Sequence, residues 1–171
     1  MLVRQATEAD LGAVRRVHAA AFAQADADGP PPEVGLLDAL LAAGDVVPAL
    51  SLVVVEKGVH VGHVAGSRAR VGDRAAAAVG PVGVVPHAQG RGVGSALLHA
   101  VLAAADALEL PLVGLLGAPG YYRRFGFVPA TSLGIEPPEP SWADHFQVRT
   151  LAAYDERIRG PFRYAPAFAE L

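Results

Sequence analysis

Three glycines at alternate positions, Gly90, Gly92 and Gly94, stand between an apolar run ending "VGVVP" and an alanine- and leucine-rich stretch. Glycine at the start of a helix costs backbone entropy and contributes no side chain to a core. Three of them in that place point to something that must lie close against the backbone. The first turn of a helix presents N–H groups without helical partners and about half a unit of positive charge, and the missing Cβ atoms let an anion approach them. The chemistry implied is phosphate binding. Spacing excludes two familiar phosphate loops. The mononucleotide loop needs G-x-x-x-x-G-K-[ST], and no lysine follows any of these glycines. The dinucleotide fingerprint G-x-G-x-x-G fails too, because the sixth position is Ser95 counted from Gly90 and Leu97 counted from Gly92. A nucleotide-binding domain is therefore disfavoured.

The spacing that remains is Q-x-x-G-x-G, filled by Gln89, Gly92 and Gly94. Downstream, "LLGAPGYYRRFGF" sets Tyr122 four residues before Gly126. The elements that must position these residues follow from hydrophobic period. Leu2 to Ala6 reads as a short strand, and Thr7 with Asp10 as the cap of a helix reaching Phe22, with Leu11, Val14, Val17 and Ala21 at helical spacing. "AQADADGPPPE" is a loop by composition, and a second helix runs from about Glu33 to Ala43. The period then changes to that of strands. A β-hairpin turns near Lys57-Gly58, followed by the nearly all-apolar strand "AAAAVGPVGVV" in a buried, central position. Pro81 and Gly83 fit poorly in a regular ladder and predict a bulge or broken pairing. A long helix from about Gly92 to Leu110, the strand "PLVGLLG", a short helix closed by Gly126, and late strands at "FVPA" and "HFQVRTL" complete the order. The tail from residue 155 reads as an extension packed on the same body. This is α/β alternation in one domain, with a mixed sheet because of the hairpin.

Taken together, the Gln89–Gly92–Gly94 loop and the Tyr122–Gly126–Phe127 helix resemble the corresponding parts of the GNAT-type N-acetyltransferases, over Leu2 to about Leu151. The resemblance implies an α/β domain with a single mixed sheet, central splayed strands and flanking helices. It implies acetyl-CoA as co-substrate, with backbone groups of Val82 and Val84 meeting the pantetheine arm. Gln89, Gly90, Arg91, Gly92, Val93, Gly94 and Ser95 would cradle the diphosphate, Arg91 adding charge. Backbone N–H groups near Val84 and Val85 would stabilise an oxyanion. Tyr122 would be the acid that protonates the departing thiolate, and Tyr121, one residue along a helix, would point about 100° away. The glutamate that many members carry on the strand before the loop has no counterpart, since no ionisable residue lies between Ala75 and Val85. Glu56, His63 or a water chain could take its place, or the amine could arrive already neutral. The implied activity is direct transfer of acetyl to an amine, with a small-molecule or peptide acceptor; a non-catalytic CoA-binding regulatory module is the alternative.

Composition sets outer bounds. The 171 residues are 52% hydrophobic and 18% charged, with a net charge of −3, which points away from nucleic acid as the main partner. With no cysteine, the chain has no disulfide, no thiolate metal site and no cysteine nucleophile, and transfer within a ternary complex is favoured. The N-terminus lacks the pattern of a signal peptide and no apolar run is long enough to span a bilayer, so a cytoplasmic protein without membrane association is expected. A homodimer is left open. The six histidines are scattered, with His60 and His63 expected on opposite faces of one strand, and predict no metal site. Glu136, Glu139, Trp142 and Asp144 share one loop, read as an ordinary acidic surface loop rather than a contact for a cationic amine.

Overall fold

A computed structural model describes residues 1–25 and 28–170, so part of the loop expected at "AQADADGPPPE", residues 26 and 27, lies outside the described residues. The chain opens with β1 (Leu2–Gln5), α1 (Leu11–Ala21) and α2 (Pro32–Ala42). Ahead of α1, the Thr7 N–H donates to Asp10 Oδ2 at 2.8 Å. The same carboxylate accepts two guanidinium hydrogen bonds from Arg4, at 2.7 and 2.8 Å, and one from His60 at 2.7 Å. Arg4, then the other donors, hold Asp10 well below the usual carboxylate range although burial opposes this. Next come β2 (Leu52–Glu56), β3 (Val59–Val71), β4 (Arg74–Val84), α3 (Val93–Ala107), β5 (Leu112–Leu116) and the single turn α4 (Pro119–Tyr122). The last strands are β6 (Val128–Pro129), β7 (Ile135–Glu136), β8 (Phe146–Thr150) and β9 (Gly160–Tyr164).

The strands form one mixed sheet in the order β1-β2-β3-β4-β5-β8-β6, with β9 added along β3 and β7 paired to β9. Only β4 and β5 run parallel within the main path, as a strand–helix–strand connection through α3 requires. One core lies on the α3 side, where Val93, Leu97, Leu98, Val101 and Ala105 of the helix meet Leu52, Val54, Val64 and Val113 of the sheet. A second lies on the opposite face, where Phe146 and Phe162 pack edge-on at 4.9 Å with Ile135 and Leu112. The C-terminal segment is thus part of the sheet and its core, more than a packed extension. Gly114 of β5 has no side chain because a Cβ there would meet the Phe162 ring at 2.5 Å.

Two irregularities shape the middle of the sheet. The β3–β4 register shifts between Val64 and Gly66, placing the extra residue of β4 around Gly80-Pro81, a cis peptide. The expected break is therefore at Pro81, whereas Gly83 stays in register opposite His63. Gly83 answers a different demand: a Cβ would sit 2.8 Å from His18 Nδ1 of α1. The second irregularity is between strands. β4 pairs with β5 only at Ala77–Val113 and Ala78–Gly114, and beyond these the two part.

Candidate active site

The parting of β4 from β5 leaves one edge of β4 open at the residues before the glycine loop. The Val85 N–H donates to Val61 O at 3.0 Å, and Gly83 lies opposite His63 in the same register. Hydrogen-bonded and non-hydrogen-bonded pairs alternate along an antiparallel ladder. Val82 and Val84 are therefore the non-bonded partners of Val64 and Gly62, and their N–H and C=O groups turn away from β3, toward the opening. The Gln89 side chain confirms the direction for Val84, its Nε2–H donating to Val84 O at 3.0 Å.

At the end of that edge the chain turns through Gly90 (φ +70°) and Gly92 (φ +84°) into α3. Both are left-handed positions that side-chain-bearing residues adopt at a cost, and a Cβ on either would project into open space. Gly92 is the N-cap, so the N–H groups of Val93, Gly94 and Ser95 in the first turn have no helical partner. A cleft of about 440 Å³ lies against this turn, walled by Val82, Val84, Gln89, Gly90, Gly92, Val93, Gly94 and Ser95, and closed by Ala21, Phe22, Tyr121, Tyr122 and Arg124. Glycines whose missing Cβ atoms leave a cradle, a helix N-terminus and an open strand edge fit an extended ligand with a diphosphate at one end and amides along its length.

The Tyr122 ring lies over Gly117, where a Cβ would overlap it, and edge-on to Phe127 at 5.9 Å. Burial, and secondarily Tyr121, raise its pKa above the ordinary phenol value, so its hydroxyl keeps its proton at neutral pH. Tyr122 also lines a second cavity of about 380 Å³, which shares Phe22 and Val82 with the cleft. It therefore stands where the two hollows meet.

Several expectations need correction. Val85 faces the core and its N–H is already used by Val61, so it offers nothing to an oxyanion. Arg91 does not wall the cleft; its guanidinium pairs with Glu56 at 3.1 Å. Glu56 itself lines neither the cleft nor the second cavity. The cleft's arginine is Arg124, whose guanidinium lies 4.1 Å from the centre of the Tyr121 ring. Tyr121 does not point out of the site: its ring stands 81° to that of Tyr122, both line the cleft, and its hydroxyl is 2.9 Å from where a Gly94 Cβ would be. His60 and His63 both reach the segment from Asp10 to His18, because the β2–β3 register slips between Val54 and Val55. Trp142, read as part of a surface loop, lines the second cavity, with Glu33 as the one carboxylate among the described residues there. Nothing local in the sequence marks Glu33, which lies in the first turn of α2.

His63 is sealed under this site rather than open to it. Its ring is joined to Ser51 Oγ at 3.0 Å and to His18 Nε2 at 2.8 Å. His18, stacked on Phe22 at 5.9 Å and pressed on Gly83, clamps the end of α1 against the strand that borders the cleft. Burial lowers the pKa of His18 to about 4; burial, then the neighbouring His18, lowers that of His63 to about 3. Both are neutral in the fold. As pH falls below ~6.5 the unfolded chain takes up protons that the folded chain refuses until near pH 4 and 3, so stability is full above that window and declines through it. The thermal midpoint is expected to be level above neutrality and to drop by roughly 10 °C or more between pH 6.5 and 4. Calorimetric scans that stay level across that range would contradict a neutral buried pair.

Among the described residues no group of three or more histidines, aspartates or glutamates is placed to hold a metal ion, and no helix is long and apolar enough to cross a membrane.

Comparison with known proteins agrees with this geometry. A family model described as an acetyltransferase (GNAT) domain matches residues 2–130. The uncharacterised N-acetyltransferase YjhQ of Escherichia coli K12 is 30% identical over 166 residues, covering 92% of this chain and 88% of the relative. Among solved structures, the GNAT family N-acetyltransferase YhbS of Escherichia coli in complex with CoA is similar over 98% of this chain and 91% of its own, with a TM-score of 0.88 and 25% identity. A GNAT family acetyltransferase of Brucella melitensis in complex with acetyl-CoA is similar over 98% and 97%, with a TM-score of 0.79 and 31% identity.

Proposed function

The chain belongs to the GNAT family of acetyltransferases, and on that footing we propose how its own residues carry out acetyl-CoA-dependent N-acetylation of an amine. The observation that carries the reading is the open edge of β4 running into the Gly90–Gly92 turn and the N-terminus of α3. Val82 and Val84 would hold the amides of the cofactor's arm by strand-like hydrogen bonds. Gln89, Gly90, Gly92, Val93, Gly94 and Ser95 would receive the diphosphate, with Arg124 in place of Arg91 as the nearby cation. When bound, acetyl-CoA supplies an acetyl thioester, an acyl group activated for attack by an amine.

The chain's part is to orient, shield and move one proton. Phe22 and Val82 border both hollows, so an amine entering the second cavity meets the open strand edge there. Tyr122 holds its proton at Oη, between donor and acceptor sides; it gives that proton to the leaving sulfur and is restored by the proton that the attacking amine loses as the amide forms. No cysteine is present to take the acetyl group, which supports transfer directly to the amine. The acceptor proposed is a small molecule, because the second cavity is a hollow of limited size with apolar walls. Release of CoA thiol from acetyl-CoA, measured across a panel of amines, tests the reading.

A further inference from the structure

The second cavity has a composition that selects its occupant. Its walls come from separate parts of the chain, among them Phe22 after α1, Leu36 on α2, Trp142, and the C-terminal pair Tyr164 and Phe168. Tyr164 and Phe168 stack at 4.2 Å, and Trp142 meets Tyr164 edge-on at 6.4 Å, so the aromatic side is braced before anything binds. Into this apolar hollow the first turn of α2 brings Glu33, half-buried and absent from the ion pairs among the described residues. A carboxylate with no cation, set among aromatic faces, is a place where an ammonium is favoured twice over, by charge and by the ring quadrupoles.

Resting on the acetyltransferase reading above, we propose that the acceptor is a small primary amine carried on an aromatic or bulky apolar body, its nitrogen drawn in by Glu33 as the ammonium and attacking as the neutral amine once that proton has passed to solvent, its body held by Leu36, Trp142, Tyr164 and Phe168. Polar acceptors are disfavoured by the same walls. An aminosugar, a polyamine or a peptide would bury hydroxyls, further charges or amides against side chains that offer them few partners, and each unmet group is costly. The volume of about 380 Å³ lies near the lower end of small-ligand pockets and suits a body of one or two rings. Tyr122 lines the same cavity, so an amine seated there lies beside the residue assigned to the leaving thiolate.

Trp142 is the only tryptophan of the chain, so its fluorescence reports on this cavity without any turnover. The probes are 2-phenylethylamine, glucosamine, spermidine and a lysine-containing peptide. With CoA present, 2-phenylethylamine is expected to change the Trp142 emission saturably, and with acetyl-CoA to show kcat/KM at least about tenfold above each of the other three. Glu33→Gln is expected to raise the KM for 2-phenylethylamine about tenfold and to leave CoA affinity as it was; Trp142→Ala narrows the preference between 2-phenylethylamine and spermidine. A polar probe acetylated as well as 2-phenylethylamine overturns this assignment and leaves the acetyltransferase reading intact. So does CoA binding without any response of Trp142 to 2-phenylethylamine. Failure of CoA to bind at all overturns the underlying reading instead, and calorimetry with CoA alone distinguishes the two.

Discussion

Tyr122→Phe is expected to slow turnover by about 10²-fold while CoA binds as before, the size of effect that a positioned acid contributes. The substitution removes one oxygen and keeps the ring that packs over Gly117 and against Phe127. A thiolate with pKa near ~8.5 leaves more readily when it is protonated as it departs, and a phenol pushed upward by burial retains that proton at neutral pH. Tyr121→Phe is the informative comparison. Its hydroxyl lies against the first turn of α3, at Gly94, and not between the two hollows. Its loss is therefore expected to weaken CoA binding modestly and to leave kcat close to that of the parent. Steady-state kinetics showing normal turnover for Tyr122→Phe, or a crippled Tyr121→Phe, would transfer the acid role elsewhere.

Gly92→Val is expected to weaken CoA binding at least tenfold, about 1.4 kcal/mol. Two effects act in the same direction. A branched residue resists φ of +84°, and the N-cap geometry that aims the N–H groups of α3 would shift with it. Its Cβ would also project into the cleft, since no protein atom lies within 4 Å of that position. Gly94→Val acts by another route, forcing the Tyr121 hydroxyl to move from a position only 2.9 Å away. Calorimetry on a folded Gly92→Val protein decides the matter: unchanged CoA affinity would remove the diphosphate from this loop.

What was legible in the sequence was local. The Gln89–Gly92–Gly94 spacing and Tyr122 before Gly126 lie within single loops and turns, and the structure places them in one cleft. The irregularity within β4 was likewise announced by Pro81, where the β3–β4 register shifts, although Gly83 proved to serve the close approach of His18; the parting of β4 from β5 was implied only by the family resemblance. Errors arose where a partner came from far along the chain. Arg91 looks like the cation of the glycine loop until β2 brings Glu56 beside it, and Val85 looks available until β3 supplies Val61 as acceptor. A one-residue slip between β2 and β3 turned His60 and His63 toward the same segment, which strict alternation forbids. The second cavity was the least legible feature, because α1, α2, the Trp142 loop and the C-terminal residues meet only after β9 has paired with β3. That pairing covers three residues, Phe162 to Tyr164, too few to show a strand period in a mixed tail.

The measurement that bears most directly on the central claim follows acetyl-CoA, a varied amine and the protein together, recording CoA thiol, acetylated amine and the intact mass of the chain. An acetyltransferase working in a ternary complex releases one thiol for each amide formed, and the protein's mass is unchanged when the amine is left out. Tight CoA binding with no thiol released above background for any amine would contradict the account and leave a CoA-binding regulatory module in its place.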